Sequence, residues 1–149
     1  AALSLDPKLW ESAMVFQIKR MGYNEHRWLD SGDVPNVQFL ASVCEIARQT
    51  PNVMHWLPTR EVKTLLAFIK QYGADHIPSN LNIRVSAPMV NDKPLSAFDN
   101  VPQITTSTVH DKHNAPQGHS CPARNQGNAC GDCRACWNSK VANVSYPIH

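Results

Sequence analysis

Residues 53–86, VMHWLPTREVKTLLAFIKQYGADHIPSNLNIRVS, decide the fold. The first five, VMHWL, form a short apolar run that ends at Pro58-Thr59-Arg60, which is the pattern of a buried strand closed by a turn. Val62, Leu65, Leu66, Ile69 and Tyr72 then recur at helical spacing, and Gly73 stands where a helix stops. After the turn at Pro78-Ser79-Asn80, residues 81–85 predict a second strand that ends at Ser86. Strand, helix and strand in that order imply a parallel pair joined by a right-handed crossover.

The same unit stands upstream. Residues 27–29 predict a strand that runs into the polar turn Asp30-Ser31-Gly32-Asp33. Pro35 starts a helix with Val37, Leu40, Val43, Cys44 and Ala47 on its apolar face, so Cys44 reads as a small core hydrophobe and not a metal ligand. Asp6-Pro7 opens an earlier helix carrying Leu9, Trp10, Ala13, Met14, Ile18 and Met21, with Lys19, Arg20 and Gly22 at its end. Downstream the periodicity weakens. Residues 88–102 read as an extended loop, 103–109 as a β-branched strand, 110–120 as a polar loop and 141–146 as a last short strand. The expected fold is α/β: repeated βα units with a mainly parallel sheet, as a partial barrel or an open sheet, and a Cys-rich metal-binding tail. One domain over 1–149 is expected, with the metal-binding segment at 119–138 inside it.

Four of the five cysteines lie in that tail, in CPARNQGNACGDCRACW, at spacing C-x8-C-x2-C-x2-C. Cys121, Cys130, Cys133 and Cys136 can close around one centre, with Gly127 and Gly131 easing the turns. Three thiols stepping at x2 intervals with a fourth supplied from elsewhere is the spacing that wraps a cubane 4Fe-4S iron-sulfur cluster. Zinc is the alternative, although its usual signature is two separated C-x2-C knuckles. Two disulfides are a third reading, which leaves Cys44 as an odd thiol.

In parallel sheets ligands bind beyond the carboxyl ends of the strands. That rule selects Asp30, Ser31, Gly32, Asp33, Thr59, Arg60 and Ser86 as a candidate polar ligand site, joined by His110, Asp111 and His113 after the fourth strand. Structural roles compete: Asp33 and Thr59 as helix caps, and His55 as a hydrogen-bonded strand histidine. His110, His113 and His119 also lie near the cysteines as substitute ligands, although four thiolates saturate either centre. No phosphate loop, H-E-x-x-H, G-x-S-x-G or kinase signature occurs, and no catalytic residue is assigned.

Charge is close to balanced, with 14 Lys+Arg against 12 Asp+Glu, so no strong nucleic-acid field is expected. No apolar run approaches the roughly 20 residues that span a bilayer, and no membrane partner is expected. The opening AALSLDPKLW carries no initiator methionine and no secretory signal, which suits a trimmed chain in a cytoplasm that keeps thiols reduced.

HRWLDSGD, EIARQTPNV, HWLPTR, IPSNLNIRVS and CPA…CGDCRACW together resemble the phage gene product 88 family, from about Leu9 to Trp137. The resemblance implies a bacteriophage protein in the cytoplasm of an infected host cell, and a further cysteine-rich segment upstream that these 149 residues do not contain. The βα units and cysteines are also similar to a partial radical-SAM-type barrel, but the C-x3-C-x2-C motif is absent. A cluster with four thiolates is saturated, and so reads as structural or electron-carrying. Three functions are therefore expected in turn: an iron-sulfur protein, a zinc-stabilised module binding nucleic acid or a host protein through Arg124, Arg134, Trp137 and Lys140, or an enzyme using the strand-end residues.

Overall fold

Asp6 opens the first helix, α1 (Pro7–Met21), in the computed structural model, which describes residues 6–29, 32–123, 126 and 129–148. Its carboxylate accepts the backbone N–H groups of Lys8 and Leu9 at 3.1 and 3.3 Å, two donors that a helix start otherwise leaves orphaned. Gly22, at φ 71°, ends the helix in the left-handed region. Helix α2 (Val37–Gln49) begins two residues later than Pro35, because Asn36 is its cap and accepts Phe39 N–H at 2.8 Å. Asp33 is therefore not a helix cap. Helix α3 (Val62–Tyr72) buries Leu65 and Phe68 and leaves Leu66 and Tyr72 46% and 38% exposed. The run Leu65-Leu66-Ala67-Phe68-Ile69 is apolar all round, so periodicity alone does not select the buried face.

Six strands form a curled, open, all-parallel sheet, half of a barrel. They are β1 (Glu25–Arg27), β2 (Met54–Thr59), β3 (Leu81–Ser86), β4 (Ile104–His110), β5 (His119–Ser120) and β6 (Asn143–Pro147), in the order β1-β2-β3-β4-β6-β5. Helix α2 crosses from β1 to β2 and α3 from β2 to β3, as the repeated unit requires. Strand β1 lies two residues upstream of its expected position. Trp28 still donates its backbone N–H to Trp56 O at 2.9 Å, but Leu29 turns away at φ 58° and the Trp28 ring enters the core. Aromatic character there reports burial, not strand.

Pro58 sits inside β2 without disrupting it. Met54 N–H points to Asn24 O and His55 N–H to Asn80 O, so even-numbered residues of β2 face β1. The paired residues of β1 end at Arg27, opposite Trp56, so the missing N–H of Pro58 falls beyond the β1–β2 ladder. The 110–120 loop contains the edge strand β5, which the sequence does not announce. Gly118 admits it: at φ 86°, a Cβ there would stand 2.7 Å from Asn143 O in β6.

The two faces of the sheet differ. Leu57, Leu81, Ile83, Val85 and Ile104 meet the helices in the main core, together with Val43, Ile46, Leu65 and Phe68. The opposite, inner face carries Trp56 and Val144, covered by the chain that follows β5 and by the 3-10 turn Ala135–Trp137. Sequence alternation sets this up: in β3, Asn82, Arg84 and Ser86 interleave with Leu81, Ile83 and Val85.

Candidate functional site

Strand β3 anchors the cysteine segment through its polar residues. Asn82 donates its amide to Cys136 O at 2.8 Å. Arg84, fully buried, donates from Nη1 to Thr106 O and Val141 O at 2.8 and 3.1 Å, and from Nη2 to Ala135 O and Asn138 O at 2.9 and 3.3 Å. A guanidinium spreads donors in a fixed fork, which suits one side chain to several carbonyls at once. The rest of the segment is held at its ends. Cys121 N–H donates to Ser145 O of β6 at 2.9 Å, Arg134 pairs with Glu25 of β1 at 2.8 Å, and Trp137 Nε1 donates to His26 O at 3.1 Å.

This docking brings the cysteines to the carboxyl ends of the strands. Cys121, Cys130 and Cys136 line one cleft of about 320 Å³ with Arg27, Trp56, Pro58, Ser86, Ser107 and Tyr146. Cys133 packs against the same inner cluster, and its Sγ lies 3.5 Å from His119 Nε2. Gly131 adopts φ 57° within the CGDC turn, where Cys133 N–H closes on Cys130 O at 3.0 Å. Gln126 fixes the preceding loop by donating to Ala129 O and Cys130 O at 3.1 and 3.0 Å. Gly127 and Arg124 lie outside the described residues.

All five cysteines are free, so the two-disulfide reading is not the arrangement the chain adopts. Cys44 is buried in the main core, and burial pushes its thiol up to about 12, as befits a packing residue. Burial also raises the Cys136 thiol, opposed by the hydrogen bond with Tyr146 and by the Arg84 charge. Among the described residues, no three His, Cys, Asp or Glu side chains are gathered as the ligands of a single ion. A tetrahedral zinc at about 2.3 Å from each sulfur would draw four sulfurs to about 3.8 Å of one another.

Two buried donors on the inner face have no acceptor among the described residues: Trp56 Nε1 and Arg84 Nε. Tyr146 Oη has Cys136 Sγ as its partner at 2.9 Å. Buried donors normally find acceptors, and an isolated buried cation normally finds an anion. Neither Tyr146 nor Arg84 was selected by sequence. The available signal was the alternation in β3, whose polar members stand opposite the helix-covered face.

The polar site expected at the strand ends divides. Asp33 is a latch: its Oδ1 accepts Val34 N–H at 2.7 Å and Thr59 Oγ1 at 2.6 Å, and its Oδ2 accepts Arg60 N–H at 3.0 Å. Thr59 Oγ1 in turn accepts Glu61 N–H at 3.0 Å. The Arg60 residue is exposed, and Gly32 turns at φ 81° beside the latch. Asp30 and Ser31 lie outside the described residues. Ser86 belongs to the cysteine cleft instead, where its hydroxyl meets Ser107 Oγ at 3.0 Å.

The histidines also separate. His110 Nδ1 meets Ser145 Oγ at 2.7 Å, and the Asp111 carboxylate organises its own loop by accepting from Asn114, Asn91 and His113, which hold it at about 2. His55 is structural. Trp28 Nε1 can only donate, so His55 Nδ1 accepts at 3.0 Å and Nε2–H faces Thr50 Oγ1 at 2.8 Å. Burial, reinforced by His26, pulls His55 down to about 4.

The family model for gene product 88 matches residues 2–139. The chain belongs to the gene product 88 family. The match takes in α1, both βα units and the whole cysteine segment, and ends before β6, which brings Tyr146 and Pro147 to the cleft. No curated protein and no solved structure matches it. The comparisons give no support to a likeness with the radical-SAM barrel. Among the described residues, no helix is long and apolar enough to cross a membrane.

Proposed function

We propose that this gene product 88 protein holds a 4Fe-4S iron-sulfur cluster through Cys121, Cys130, Cys133 and Cys136, on the inner face of its half-barrel. The observation that carries the reading is the common cleft: three of the four cysteines line one space at the strand ends, and the fourth packs beside it. A cluster interposes iron and sulfide between its thiolates and so holds them farther apart than one ion does.

The electrostatics agree. Four thiolates around either centre leave a net negative group, and Arg84 supplies a buried cation whose charge acts on Cys136. Trp56 Nε1 and Arg84 Nε, which have no acceptor among the described residues, suit a neighbour rich in acceptor sulfur. With all four cysteines engaged, the cluster has no open iron site, and its role is structural support of the tail or one-electron transfer.

The rival surface for nucleic acid or a host protein is weakened by what it already contacts. Arg134 is tied to Glu25, and Trp137 to His26 and the Trp56 ring. An enzyme built on Asp33 and Thr59 is weakened likewise, since the carboxylate is engaged by three donors of its own chain. The test is anaerobic purification followed by a visible absorption spectrum and iron, sulfide and zinc determination on one sample. Brown protein with matched iron and sulfide supports the cluster. A colourless protein with about one zinc per chain replaces it with a zinc knuckle.

A further inference from the structure

We infer that Tyr146 is a positioning residue that sets the reduction potential of the centre, by donating its phenolic hydrogen to Cys136 Sγ; this rests on the cluster reading above. Tyr146 projects from β6 into the cleft, and its hydroxyl lies 2.9 Å from that sulfur. A metal-bound thiolate has no proton, so in the loaded protein the phenol is the donor. Tyr146 is partly buried and packs in the same inner cluster as Cys121, Cys133 and Trp137, where water competes weakly for the bond.

The direction of the effect follows from charge. Reduction adds an electron, part of whose density reaches the ligand sulfurs, and a hydrogen bond to sulfur stabilises the more negative state. Tyr146 therefore raises the potential. Among the described residues the Tyr146 hydroxyl bonds one cysteine sulfur, that of Cys136, while Cys133 Sγ meets His119 Nε2.

The experiment is a redox titration of the anaerobically isolated full chain beside Tyr146→Phe, with iron and sulfide measured on both. Tyr146→Phe is expected to keep its iron and sulfide while its reduction equilibrium shifts about tenfold toward the oxidised form, about 59 mV lower for a one-electron couple. An unchanged potential at equal cluster content overturns the inference and leaves the cluster reading standing. Wild-type protein without iron and sulfide removes both. Should Tyr146→Phe lose the cluster, fluorotyrosine incorporated at position 146 decides: it keeps the ring and strengthens the donor, so the potential must rise above wild type, and no rise refutes the role.

Discussion

Replacing Arg84 with methionine tests how the cysteine segment is held to the sheet. Methionine keeps an unbranched stem of similar reach but removes four hydrogen bonds, to the carbonyls of Thr106, Ala135, Asn138 and Val141. Three of those oxygens keep another donor, since Asn138 N–H reaches Ala135 O, Val141 N–H reaches Asn138 O and Thr106 O lies in the β4–β6 ladder. Net contributions of roughly 0.5–1.5 kcal/mol per bond are offset in part because a buried cation no longer has to be desolvated. A loss of about 3 kcal/mol in unfolding free energy follows. Urea denaturation followed by tryptophan fluorescence measures it, and Trp56 and Trp137 sit at the affected junction. Iodoacetamide labelling resolved by peptide mass spectrometry gives the local readout: Cys136, buried in the wild type, is expected to gain the most reactivity. A loss below about 0.5 kcal/mol, the range of ordinary surface positions, with Cys136 still protected would refute the anchoring role.

Other perturbations separate structural from functional residues. His55 is held near 4 when folded against an ordinary 6.5, so between these values the unfolded chain binds a proton that the folded chain does not. Stability is therefore complete above about pH 6.5 and falls by up to about 3 kcal/mol toward pH 4; His55→Asn should flatten that slope in urea melts taken across the window. Asp33→Ala removes the latch on Thr59 and Arg60 and should cost about 2 kcal/mol by thermal or urea unfolding, whereas an undiminished melt would return Asp33 to the candidate ligand residues. Gly118→Ala combines a left-handed φ with a contact on Asn143 O and should cost more than about 1 kcal/mol, with a wild-type melting curve as the contrary result. Cys44 should stay unlabelled by iodoacetamide in the native protein, because its thiol is buried and pushed up to about 12.

Much of the architecture was legible because local signals agreed with the global fold. Asp6-Pro7 named the first helix start, Gly73 the end of α3, and the strand-helix-strand period gave the parallel crossovers. Legibility failed where one residue type serves two ends. Trp28 reads as strand but fills the core, and an all-apolar turn in α3 hid Phe68 behind Leu66. Asp33 carries the chemistry of a cap or a ligand, and only tertiary contact with β2 showed it to be a latch. The cysteines were visible as a motif. Their platform was not, since Arg84 approaches them from a strand distant in sequence, and Tyr146, although ten residues from Cys136, meets it only once β6 is docked in the sheet.

The most direct test of the cysteine cleft is native mass spectrometry of the anaerobically isolated chain beside Cys136→Ala. The cluster reading predicts a wild-type mass exceeding the chain by four irons and four sulfides, less the displaced protons, and loss of that increment in the variant. An increment of a single zinc, or none in either protein, would contradict it.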